Sequence, residues 1–125
     1  MLTIDIRHPD IDKFIDIKKD RTKVTGANIS IKVRDDFMKA VKSNEMYCLR
    51  FPCDIEPIDK KDVVLEELYH IDNNYYKWVN AKDLWNRIIQ AAWESAEPGL
   101  LFVDKAIEYS PDGVYSEYKA TNTNP

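Results

Sequence analysis

Residues 29–41, "ISIKVRDDFMKAV", change hydrophobic period partway along. Ile29, Ile31 and Val33 alternate with polar neighbours, the period of two expected of a strand. Beyond Arg34 the apolar residues Phe37, Met38 and Val41 recur at helical spacing. Asp35 and Asp36 fall in the first turn of that helix, where carboxylates meet the positive end of its dipole. A strand feeding directly into a helix is half of a βαβ unit, whose next strand lies parallel to the first.

The switch recurs along the chain. "LTIDI" alternates Leu2, Ile4 and Ile6, and Pro9 suits the first turn of a helix carrying Ile11, Phe14 and Ile15. That helix runs out near "KKDR", and "MYCLRFP" reads as a third strand. Asn80 is a helix cap with Asp83 in the approximate capping-box position. Leu84, Trp85, Ile88, Ile89, Ala92 and Trp93 then form a wide apolar stripe, which Pro98-Gly99 ends. Trp78, Trp85 and Trp93 read as core packing. "LLFV" is a continuous apolar run, as expected of a strand covered on both faces. The order is strand, helix, strand, helix, strand, excursion, helix, strand, which argues for a parallel α/β sheet. Residues 54–80 form the excursion, irregular in pattern, with a hairpin turn expected at Asn73-Asn74. Three helices are too few to cover both faces of such a sheet, so the chain looks under-covered as a closed domain.

Composition narrows the function classes. A chain of 125 residues is one domain at most, and a net charge of −4 without a basic run argues against nucleic acid as a partner. No apolar stretch reaches bilayer-spanning length, and "MLTIDIRHPD" lacks the layout of a signal peptide. The expectation is a cytoplasmic protein without a membrane partner. Two cysteines are too few for a disulfide framework. Cys48 reads as a small buried apolar residue, with redox pairing to Cys53 as the alternative. His8 and His70 have no neighbours at metal-ligand spacing and read as helix-end or surface residues. The carboxylate runs read as solvated faces, and no nucleophile elbow or glycine-rich phosphate loop is present.

One loop stands apart. "KKDRTKVTGAN", residues 18–28, carries four cationic side chains and then Thr25, Gly26 and Asn28. Arginine and lysine meet phosphate directly, and glycine lets backbone N–H groups approach an anion. A nucleotide-holding loop and an ordinary basic surface loop both satisfy this pattern.

Four blocks in order, "HPDIDKFIDIKKD", "TKVTGANISIKVRDDFMKAV", "AKDLWNRIIQAAWESAEPGLLFVD" and "SPDGVYSEYKATNTNP", resemble the catalytic subunit of ribonucleotide reductase. The similarity is greatest to the adenosylcobalamin-dependent class and weakest between Asp54 and Asn80. The resemblance implies an α/β fold that is part of a ten-stranded α/β barrel. Residues 1–125 would supply about a half-barrel, with parallel strands and flanking helices. It implies thiyl-radical reduction of ribonucleotides to deoxyribonucleotides for DNA synthesis. A cysteine at the tip of a finger loop would remove the 3′-hydrogen, and a cysteine pair elsewhere would reduce the 2′ position. Thr123, Asn124 and Pro125 match the start of the finger motif, with Asn124 as the asparagine that hydrogen-bonds the ribose. The radical cysteine and its glutamate would follow Pro125, and Cys48 and Cys53 match neither redox cysteine.

The resemblance also reads loop 18–28 as the effector-responsive specificity loop. Arg21 and Lys23 would be its direct nucleotide contacts, with Lys19, Asp20, Thr22 and Thr25 in support and Gly26 giving conformational freedom. The implied cofactors are adenosylcobalamin and a nucleotide effector (dNTP or ATP). The implied partners are the remainder of the reductase chain or a complementing split subunit, the ribonucleotide, and a thioredoxin-like or other dithiol reductant, with a homodimer in the full enzyme. Alone, the chain is expected to be inactive. Two alternatives stand beside this reading: a noncatalytic nucleotide-binding or regulatory module derived from the barrel, and a plain structural domain.

Overall fold

The period change at Arg34 is a strand-to-helix junction in the structure, a computed structural model that describes residues 1–19 and 26–109. Strand β2 (Ile29–Val33) runs into helix α2 (Asp35–Lys42) with Arg34 alone between them. Strands β1 (Leu2–Asp5) and β6 (Gly99–Phe102) flank β2, and both pairings are parallel. Pro9 lies in the turn before helix α1 (Ile11–Asp16) rather than within it, and a 3₁₀ turn, Ile17–Lys19, follows α1.

The third strand departs from expectation. β3 (Met46–Phe51) does not join the parallel sheet; it pairs antiparallel with β5 (Asn74–Asn80), which pairs antiparallel with β4 (Tyr69–Ile71). The turn between β4 and β5 is Asp72-Asn73, one residue earlier than the sequence suggests, with φ of 51° and 65°. Two left-handed central residues give the turn a twist that matches paired strands, and Asp and Asn tolerate that region better than most residues. Alternating polarity reveals a strand but not its partner, so β3 could not be assigned to a sheet from its own residues.

Helix α3 (Ala81–Ser95) starts where expected: Asn80 Oδ1 accepts the backbone N–H of Asp83 at 2.9 Å. It stops earlier than Pro98-Gly99, at a left-handed Ala96 whose N–H reaches Ala92 O at 2.8 Å. A short fourth helix, α4 (Val103–Tyr109), follows β6. Among the described residues no helix is long and apolar enough to cross a membrane.

One core joins both sheets and helices α1, α2 and α3. Ile31, Val33, Phe37, Tyr47, Leu49, Leu84 and Ile88 are buried in it, with the Phe37 and Tyr47 rings edge-on at 5.1 Å. The stripe on α3 is only partly used: Leu84 and Ile88 are buried, whereas Ile89 is exposed and Trp93 is 86% exposed. Trp93 is therefore not a core residue. Nor is "LLFV" covered on both faces, because β6 is an edge strand on which Leu100 and Phe102 are exposed, while Val103 belongs to α4 and is buried.

The parallel sheet is one-sided. Ile4, Ile31 and Val33 face the core, so Thr3, Asp5, Ser30 and Lys32 stand on the face away from it. Parallel sheets covered by helices on both faces have apolar strands throughout. This one has a second face that is polar along β1 and β2, with Leu101 of β6 beside Lys32. The described residues close no barrel.

Candidate functional site

The carboxyl ends of parallel strands are where α/β folds hold ligands, because loops and helix starts converge there. Here β1 ends at Asp5, β2 at Val33 and β6 at Phe102, and the residues just beyond form a charged network. Arg7 Nε and Nη2 each lie 2.9 Å from the Asp5 carboxylate. Arg34 donates from Nη2 to Asp5 Oδ2 at 2.7 Å and from Nη1 to Asp104 Oδ1 at 3.1 Å. The other oxygen of Asp104 accepts the backbone N–H of Asp35 at 2.8 Å, so α4 supplies the cap that Arg34 cannot give α2. Three strand ends are thereby tied by charge-assisted bonds.

The electrostatics follow from that geometry. Burial alone would raise the Asp5 carboxyl, but hydrogen bonds from Arg7 and Arg34 outweigh it and hold the group below its ordinary value. Burial opposes the charge on Arg7 and Arg34, yet Asp5 leaves both more firmly protonated than usual. Burial, assisted by Asp5, pushes up the thiol of Cys53, and burial likewise raises Cys48. Both cysteines are free, and Cys48 is buried as its sequence context suggests. Buried Arg50 donates to Cys48 O at 2.8 Å and Ile55 O at 2.6 Å, fastening the start of the 54–80 segment onto β3.

The sequence-derived residues are only partly placed. Asp20, Arg21, Thr22, Lys23, Thr25 and Asn124 lie outside the described residues, and Lys19 is described only as the end of its 3₁₀ turn. Gly26 is exposed, does not adopt a positive φ, and a Cβ there would meet nothing within 4 Å. The loop's base is pinned beside it, since Lys18 Nζ donates to Ala27 O at 2.7 Å and pairs with Glu97 at 3.2 Å. That base adjoins the amino end of β2, the opposite end of the sheet from the Asp5–Arg34 network.

Among the described residues no group of three or more His, Cys, Asp or Glu is placed to hold a metal ion. His8 packs against Phe51, and His70 stacks on Tyr75. Sequence reasoning missed Asp5, Arg7, Arg34 and Asp104. The usable signal was position: each stands at or just after the end of a strand that leads toward a helix.

Comparison with known proteins adds independent information. The model of the ribonucleotide reductase barrel domain matches residues 1–125. A vitamin B12-dependent ribonucleoside-diphosphate reductase of Thermoplasma acidophilum is 30% identical over 120 residues, covering 95% of this chain and 13% of that relative. A vitamin B12-dependent ribonucleotide reductase of Streptomyces clavuligerus is 29% identical over 127 residues, covering 83% of this chain and 11% of the relative. The ribonucleoside-diphosphate reductase subunit alpha of Helicobacter pylori is 30% identical over 135 residues, covering 95% of this chain and 16% of the relative. The chain thus spans a small fraction of each relative's length. With a match to the family model from end to end and a one-sided parallel sheet of the kind a barrel wall needs, the chain belongs to the ribonucleotide reductase barrel-domain family.

Proposed function

We propose that this chain forms part of the wall of a ribonucleotide reductase barrel, whose whole enzyme converts ribonucleotides to deoxyribonucleotides. The observation that carries the proposal is the one-sided sheet: apolar toward the helices, and polar at Thr3, Asp5, Ser30 and Lys32 on the other face. Radical chemistry needs a chamber shielded from bulk water, and a barrel interior provides one. Asp5 is held by Arg7 and Arg34 rather than by its register partner Lys32, so among the described residues the Lys32 ammonium is a cation on this face that an anionic nucleotide could meet. Asn124 is assigned to the ribose, and a dithiol reductant and a homodimer belong to the complete enzyme.

Two of the relatives are named as vitamin B12-dependent, and we assign adenosylcobalamin to the complete enzyme on that basis. The described residues do not fit a corrin. The groove at Asp12, Glu66, Lys77, Asp83 and Arg87 is lined largely by charged side chains, the cleft at Phe51, Leu68 and Tyr75 holds only about 250 Å³, and both histidine rings pack on aromatic neighbours. No step is routed through the cofactor.

The test is a graft of residues 1–125 into the matched segment of the Thermoplasma relative, assayed for ribonucleotide reduction. Lys32→Glu in that graft is expected to raise KM about tenfold, the equivalent of about 1.4 kcal/mol. Lys39→Glu, on the exposed side of α2, should leave KM unchanged. Equal KM values for the two variants would remove Lys32's face from the chamber.

The four cations of residues 18–28 support an effector role for that loop. Titration with deoxynucleoside triphosphates should shift the amide signals of Arg21 to Asn28; unmoved signals at millimolar effector would defeat that role. An effector can act only through loop conformations that it binds unequally.

A further inference from the structure

A single carboxylate joins the two ends of the 18–28 loop. Glu97 Oε1 accepts the backbone N–H of Ile29 at 3.3 Å, and Oε2 pairs with Lys18 Nζ at 3.2 Å. Lys18 Nζ also donates to Ala27 O at 2.7 Å, so the loop's first residue reaches across to its far end. The Lys18 and Glu97 side chains are only 15% and 21% exposed, which separates this pair from solvated surface pairs of little worth.

The chain around Glu97 brings it there. Left-handed Ala96 ends α3 and turns the backbone toward β6. Gly99 then stands in register with Ser30, and a Cβ on Gly99 would lie 3.0 Å from Ser30 Oγ. Glycine therefore lets β6 begin close against β2, beside the Ile29 amide that Glu97 holds. Asn28 O accepts the N–H of Leu2 at 2.8 Å, which fastens the same end of β2 to β1.

We propose that Glu97 is a positioning residue of the 18–28 loop, setting through Lys18 the arrangement of loop ends that an effector nucleotide meets, a step that rests on the effector role of that loop. Glu97 acts on an anionic ligand in two opposed ways. Its negative charge adds to a segment whose sequence holds four cations, and by Coulomb's law alone weakens the attraction for phosphate. Its contacts with Lys18 and Ile29 remove conformational freedom that a nucleotide would otherwise have to remove on binding. A carboxylate that acts by charge alone would make nucleotide binding tighter when neutralised. A positioning carboxylate would make it weaker.

The experiment uses the full 125-residue chain, deoxyadenosine triphosphate and amide NMR. Glu97→Gln keeps the shape and an acceptor for the Ile29 N–H but loses the charge that holds Lys18. It should weaken nucleotide binding about fivefold although the variant is the more positive protein. In a Lys18→Met background the same substitution should no longer weaken binding, because the pair is already broken. Without nucleotide, the signals of Ala27, Asn28 and Ile29 should move in Glu97→Gln while those of buried Phe37 and Ile88 stay in place. Lys18→Met breaks the pair from the other side and should move the same signals, which serves if Glu97→Gln does not fold. Binding by Glu97→Gln as tight as the parent's would overturn the inference, as would an equal loss in the Lys18→Met background. If the parent's loop signals ignore millimolar nucleotide, the effector role fails and the free chain decides the clasp: unmoved signals at Ala27 to Ile29 in both variants overturn it.

Discussion

Arg34 holds carboxylates from two other elements at once: its Nη2 is 2.7 Å from Asp5 Oδ2 and its Nη1 is 3.1 Å from Asp104 Oδ1. The pair of bonds joins the ends of β1 and β2 to the start of α4. Because both partners are largely buried, removing one leaves the other desolvated and unpaired.

Asp5→Asn is therefore expected to cost about 2–3 kcal/mol at pH 7, read from urea denaturation. The folded-state carboxyl of Asp5 titrates below its ordinary value of 3.8. Its contribution is complete above the unfolded pKa and disappears as pH falls through the lower folded value. The variant's penalty should shrink accordingly between neutral pH and pH below about 4.

The core makes a sharper contrast between aromatic residues. Phe37 is fully buried, so Phe37→Ala should cost about 3–5 kcal/mol through lost transfer energy and an unfilled cavity. Trp93→Ser, on the solvent side of α3, should change stability by no more than about 0.5 kcal/mol. Paired thermal or urea unfolding curves measure both.

Much of this division was not legible in the residues. Ile29, Ile31 and Val33 announced β2 and its buried face, because strand alternation is a local property. The Asn80 cap was legible for the same reason. The stripe through Leu84, Ile88, Ile89 and Trp93 showed a helix but not how wide a neighbour would cover it, and the cover stops short of Ile89 and Trp93. Strand pairing was the larger gap: β3 is a continuous buried run over Tyr47–Arg50 rather than an alternating strand like β2, and its partner β5 arrives only after the excursion and β4. The site network was the least visible part, since Asp5 and Asp104 meet Arg34 from opposite ends of the described chain.

Thiol chemistry should follow burial. Both cysteines have raised pKa values, so little reactive thiolate exists at neutral pH. Cys53, the more exposed of the two, should react with an aromatic disulfide reagent first, and Cys48 only on unfolding. Equal rates in the native chain would contradict the packing of β3.

Deoxyribonucleotide formation, measured side by side for the isolated chain and for the chain grafted into the Thermoplasma relative, tests the barrel-wall account most directly. The account predicts turnover by the graft and none by the chain alone, each supplied with adenosylcobalamin and a dithiol. Product from the isolated chain, or a folded graft that makes none, would contradict it.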